Sequence, residues 1–209
     1  MVIAVSECRR SGCNLEVDLN FMYRVPLWPV MKSDSHPVGA WQAIQIPVMD
    51  IHELAAGKLA ALLARRQARD LFDSHAILHM GNLDRDRLRI AFVVYGAMNR
   101  KDWRTVPIDD VNVGAEELSR QLIPTLCIHP SEKQESFAEY GKRLVEECRR
   151  ALSIVLPLSS AERDFLDLLL EHGKIDSTIL TADPTMQQCI AIQHLLEWKA
   201  VNVRKHKGL

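Results

Sequence analysis

The chain has 209 residues, 47% of them hydrophobic and 25% charged, and its Lys and Arg nearly balance its Asp and Glu for a formal net charge of -1. That balance excludes a disordered chain and a globally basic one that coats nucleic acid, and a chain this long buries roughly 70% of its unfolded surface, enough for one domain or two small ones. No uncharged stretch approaches the ~18 residues that cross a bilayer, and residues 1–10 lack a basic segment leading an apolar one, so a cytoplasmic protein with no membrane partner is expected.

The first element alternates Leu15, Val17, Leu19 and Phe21 with Glu16, Asp18 and Asn20, the period of a half-buried strand. Residues 26–39, rich in Pro, Gly and Ser, read as an irregular loop, and a second strand is expected over Trp41 to Ile46, with Pro47 ending its pairing. Beyond Pro47 the pattern turns helical. Helices are expected at 51–67, 70–80, 84–99, 115–124, 132–155, 160–172 and 184–199, divided by Gly81 and Asn82, Pro107, Pro130, Pro157 and Gly173. About two strands followed by helices define an α+β class, divided as a partial sheet region over 1–50 and a helical domain over 51–209. No period repeats and no segment is of low complexity.

The segment from Glu53 to Asp73 is the most informative, because Lys58, Arg65 and Arg69 recur at helical spacing among alanines and leucines. At about 100° per residue these cations fall within about 40° of arc, with Asp73 slightly beyond. Arg offers a planar fork of donors and Lys a compact point charge, so such a stripe suits a nucleotide or nucleic-acid phosphate; a solvated helix face has the same composition. On one uninterrupted helix Asp70 would point at Leu59, Leu63 and Ile77, where a carboxylate is costly. A break near residues 67–69 is therefore expected, with Asp70 capping a new helix and Asp73 as its capping-box partner. Such a cap is compatible with an ion pair from Asp70 to Arg65 or Arg69, and both acids are expected to orient the basic residues.

On the first strand, Glu16 and Asp18 point the same way and together suit a divalent cation; a solvated strand face is the alternative. Asp84 and Asp86 follow Gly81 but open a helix, so Asp84 reads as an N-cap rather than a metal ligand. Cys8, Cys13, Cys127, Cys148 and Cys189 are scattered and read as reduced structural thiols. His75 and His79 stand at i and i+4 but lack the intervening Glu of a metalloprotease, and His52 and His129 are explained by polar exposure. Further cations gather at Arg100, Lys101 and Arg104, at Lys142 and Arg143, at Arg149 and Arg150, and at Arg204 to Lys207, where either RNA binding or plain solubility accounts for them.

The run from Lys58 to Asp73 resembles the signature of the AbiEii/AbiGii toxin family, nucleotidyltransferases of the polymerase-beta-like (minimal nucleotidyltransferase) superfamily. The resemblance extends upstream over Asn14 to Leu27 and downstream over Arg87 to Arg104, including Tyr95, Gly96, Asn99 and Trp103. It implies a toxin that transfers a nucleoside monophosphate from a nucleoside triphosphate (NTP) to an RNA hydroxyl, tRNA being the acceptor suggested, with Mg2+ and a cognate AbiEi-type antitoxin, in abortive infection and phage defence. It matches Asp18 to the third acidic residue of the catalytic strand, with Glu16 a companion metal carboxylate. Lys58 would contact nucleotide phosphates, Arg65 and Arg69 would neutralise developing charge, and Asp70 and Asp73 complete the element. Members also carry a Gly-Ser turn and an Asp-x-Asp pair, and neither precedes Asn14, so a truncated form with little activity alone is expected. The alternative is a non-catalytic helical module that binds RNA, a nucleotide or a partner protein.

Overall fold

The computed structural model describes residues 25–81, 83–122, 124 and 136–209. A two-stranded antiparallel sheet, β1 (Met31–Ser33) with β2 (Ile46–Val48), precedes a helical body, which makes the protein α+β. The strand expected over Trp41 to Ile46 is displaced. Trp41 makes only an isolated bridge to Val38, β2 begins at Ile46, and β1 lies in the expected loop. Pro47 does not end pairing but stands opposite Lys32, since in a two-stranded ribbon both strands are edges and a missing N–H is tolerated.

The body comprises α1 (Ile51–Arg65), α2 (Ala68–Leu78), α3 (Arg85–Ala97), α4 (Ala115–Glu117), which runs on as a π-helical turn over Leu118–Leu122, α5 (Phe137–Ala151), α6 (Ser160–His172), α7 (Pro184–Ala191) and α8 (His194–Lys207). Its centre is the packing of α1 on α3. Ala55, Ala56, Leu59, Leu62 and Leu63 are fully buried against a core that includes Leu88, Ala91 and Phe92, and the alanines let the helix axes approach. No helix among the described residues is long and apolar enough to cross a membrane.

The helix starts follow local chemistry. Asp50 and Asp84 cap α1 and α3 by accepting from the amides of His52 and Arg87, and Ser136 and Ser159 form capping boxes with Glu139 and Glu162. Glu162 also takes Arg89 of α3 in a bidentate pair, with Nε–Oε1 2.9 Å and Nη2–Oε2 2.5 Å, which fixes α6 to the core. The helix expected over 184–199 is instead two. The chain turns at Ile192, and buried Gln193 donates from Nε2 to the carbonyl of Val25 at 2.9 Å, a distant contact that no local breaker announces.

Trp103 follows α3 and is buried, its ring 5.2 Å from that of Phe92. It lies so close to Gly96 that an added Cβ would stand 1.9 Å from its indole nitrogen. Gly96→Ala is therefore expected to expel the indole and destabilise the fold by about 3 kcal/mol, read as a lowered urea midpoint; an unchanged midpoint would contradict this packing.

Candidate nucleotide-binding groove

The α1 surface left uncovered by its neighbours carries Leu54, Gly57, Lys58, Ala61, Ala64 and Arg65. With Met49, Glu53 and Ala60, and with Tyr95 and Asn99 at the end of α3, these residues line a groove of about 500 Å³. Its floor is formed by glycine and alanines, which remove side-chain bulk, and its cations are Lys58 and Arg65.

Both cations are held by acids from α2. Lys58 Nζ donates to Asp73 Oδ2 at 2.6 Å, with both side chains about two-fifths exposed. Arg65 donates from Nε at 3.1 Å and Nη2 at 2.7 Å to the two oxygens of buried Asp70, while its own side chain stays 58% exposed. This fork anchors the guanidinium and leaves Nη1 without a protein partner among the described residues.

The α1–α2 junction breaks where expected, but not by the expected cap. Arg66 adopts a left-handed conformation (φ 58°, ψ 36°), Gln67 is extended, and α2 starts at Ala68. Gln67 supplies no side-chain cap; Glu117, 49 residues away, accepts from the Ala68 amide at 3.0 Å. With the amide satisfied from outside, Asp70 turns to Arg65 and Asp73 to Lys58, so neither forms the local cap or capping box. Arg69 is exposed, lies outside the groove and has no ion pair among the described residues.

Glu53 closes one end of the groove and was assigned no role from sequence. It is 1% exposed; Oε2 accepts from the Leu27 amide and the Tyr95 hydroxyl, both at 2.9 Å, and Oε1 from the Trp28 amide at 3.2 Å. Burial raises its pKa above the usual carboxylate value, against the lowering effect of these donors. The readable signal was an acid at the head of the stripe Glu53, Gly57, Ala61, Ala64. His52, expected to be exposed, is buried: Nδ1 lies 2.7 Å from Asp50 Oδ1 and Nε2 accepts from the Asp84 amide at 2.8 Å, so Nδ1 carries the proton.

Several cations of the other clusters are committed to the fold. Arg104 binds Asp102, Asp167 and Glu171; Lys101 binds Asp110; Arg149 donates to the carbonyls of Val111 and Asp109; Arg204 binds the Gly173 carbonyl and Lys207 binds Glu171. Residues 204–207 are the last turn of α8 rather than a loose tail. Burial pushes the Cys148 thiol up to about 12, as suits an inert structural cysteine.

Asp18 and Glu16 lie outside the described residues. Glu53, the carboxylate that lines the groove, does not fit Mg2+, which demands clustered oxygen ligands, because its oxygens are held by two amides and a hydroxyl.

Small-residue floor, oriented cations and a buried acid thus define a basic, nucleotide-sized groove in a helical body. The family model described as nucleotidyl transferase AbiEii toxin, type IV toxin–antitoxin system, matches residues 9–148, a span that includes every residue lining this groove. The chain belongs to the AbiEii nucleotidyltransferase toxin family. Membership implies a nucleotide substrate, a divalent metal and an antitoxin partner. No curated protein and no solved structure matches the chain.

Glu53 gives a pH signature. A carboxyl whose folded pKa is raised contributes stability that is fully present below its unfolded value of 4.5 and is lost as pH rises through the folded value. The unfolding free energy of the wild type minus that of Glu53→Gln, from urea titrations at a series of pH values, is therefore expected to fall as pH rises above 4.5; a difference that grows with pH would contradict the dominance of burial.

Proposed function

We propose that the chain is the toxin of an AbiE-type toxin–antitoxin pair, taking a nucleoside triphosphate into the α1–α3 groove and transferring its nucleoside monophosphate to an RNA, with tRNA the favoured acceptor. The observation that carries the reading is the pairing of Lys58 and Arg65 with acids of α2, which fixes two cations on a groove floored by small residues. Lys58 retains ammonium donors beyond the one given to Asp73, and Arg65 retains Nη1, so both receive phosphate oxygens without rearranging. Asp70 and Asp73 are positioning residues that hold these donors. Arg69, exposed in the first turn of α2, serves the acceptor RNA or the leaving pyrophosphate. Residues 1–50 act as the partial transferase sheet region and 51–209 as the helical body.

Asp18, with Glu16 as companion, is the proposed magnesium ligand; the ion, when bound, activates the attacking hydroxyl. An AbiEi-type antitoxin would restrain the activity, within the cytoplasm and in the setting of abortive infection and phage defence. A second reading, a non-catalytic helical module for RNA, nucleotide or partner protein, is favoured by one observation: Glu53, the carboxylate lining the described groove, is already engaged.

Isothermal titration with a nucleoside triphosphate tests the groove. Lys58→Ala and Arg65→Ala are each expected to weaken binding about tenfold or more, close to 1.4 kcal/mol, and unchanged affinity in both would contradict the assignment. Transfer of label from an α-phosphate-labelled triphosphate to tRNA tests the chemistry. Magnesium-dependent transfer lost in Asp18→Asn supports the enzyme; nucleotide binding without transfer supports the module.

A further inference from the structure

His75 in the last turn of α2 and His79 at its C-cap project from one face, their rings stacked with centroids 4.1 Å apart. Helix α5 packs against α2 and delivers Glu147, whose Oε2 lies 2.6 Å from His75 Nε2. One ligand atom from each of these side chains lies within 4.8 Å of the others.

The Glu147 carboxylate accepts, so His75 Nε2 donates to it and a cation seated between the two takes the place of that proton; the pair does not account for His79. His79 Nδ1 lies 2.8 Å from the backbone carbonyl of His75. A carbonyl only accepts, so Nδ1 bears the proton, and Nε2 is the nitrogen left to face a cation. A ring N–H anchored on a backbone carbonyl, with the opposite nitrogen open, is the arrangement metal-bound histidines use to fix tautomer and aim. Glu147 brings a carboxylate oxygen to the cluster, with Arg143 of the same helix 3.5 Å from it. The Arg143 guanidinium also lies over the Tyr140 ring at 5.2 Å, a contact that remains when Glu147 turns to a cation.

Two imidazole nitrogens and one carboxylate suit a borderline cation of the zinc class, whereas Mg2+ and Ca2+ prefer all-oxygen shells. We propose that His75, His79 and Glu147 form a zinc-class site that clamps α2 to α5 and leaves the fourth tetrahedral position to solvent. Because α2 also carries Asp70 and Asp73, occupancy would stiffen the helix that orients Lys58 and Arg65. The site stands on its own donor geometry and does not depend on the nucleotide reading.

The test uses the full chain, freed of any affinity tag and stripped with chelator. Zn2+ titration is expected to show about one ion per chain, and Co2+ the visible absorption of a tetrahedral site without a thiolate charge-transfer band. Zinc should raise the thermal midpoint, and His79→Ala and Glu147→Gln should each weaken binding roughly 100-fold. Absence of binding, affinity unchanged in both variants, or a thiolate band that assigns the ion to cysteine would overturn the proposal.

Discussion

The carboxylate of Glu53 is the constraint on which the groove depends. A buried acid is expensive unless every lone pair finds a donor, and here the donors come from separate parts of the chain: the amides of Leu27 and Trp28, and the hydroxyl of Tyr95. They knot the segment ahead of β1, the first turn of α1 and the last turns of α3 at one point. Leu27 enters the same core as the α1 leucines, so the segment that follows residue 24 is seated on α1 in a single register. Around the knot, Arg87 lies over Trp28 at 4.6 Å and reaches Asp50 at 3.0 Å, which braces the starts of α1 and α3 against each other. Tyr95, held by its hydroxyl, stands as a wall of the groove, so near that a Cβ added at Gly57 would lie 3.7 Å from its ring.

From that knot the basic character of the groove follows by selective commitment. The chain as a whole is nearly neutral. Many cations of the body are spent on helix-to-helix links or backbone carbonyls, as Arg89, Arg104 and Arg149 illustrate. Lys58 and Arg65 differ because their acids sit on the far side, on α2, and leave the groove-facing donors open. The left-handed turn at Arg66 sets α2 at the angle that makes this possible, and Glu117 supplies the amide partner that frees Asp70 for Arg65. A local conformational break, a distant cap and two ion pairs act as one device.

Much of this was legible in the sequence because it rests on short periods and local caps. The α+β class, the helix from residue 51, the break before α2, the Asp84 cap and the end of α6 at Gly173 all have signals within a turn of themselves. The family resemblance was carried by the same segments that the family model matches. What the sequence did not disclose depends on contacts across long separations. The burial of His52 needs the Asp84 amide, the cap of α2 needs Glu117, and the break between α7 and α8 needs Val25. Glu147 joins His75 across 72 residues, so the spacing of the two histidines alone revealed only half of that cluster. The displaced strands have a different origin: a two-stranded ribbon has no buried face to impose a register, so alternation carries little information there.

Photocrosslinking with an azido-substituted nucleoside triphosphate, followed by mass-spectrometric mapping of the labelled peptide, tests the central claim most directly, since it locates the ligand without requiring turnover. The account predicts label on α1 between Glu53 and Arg65, or on the end of α3 from Tyr95 to Asn99, competed away by unmodified triphosphate. Competable label confined to α6, α7 or α8 would contradict it.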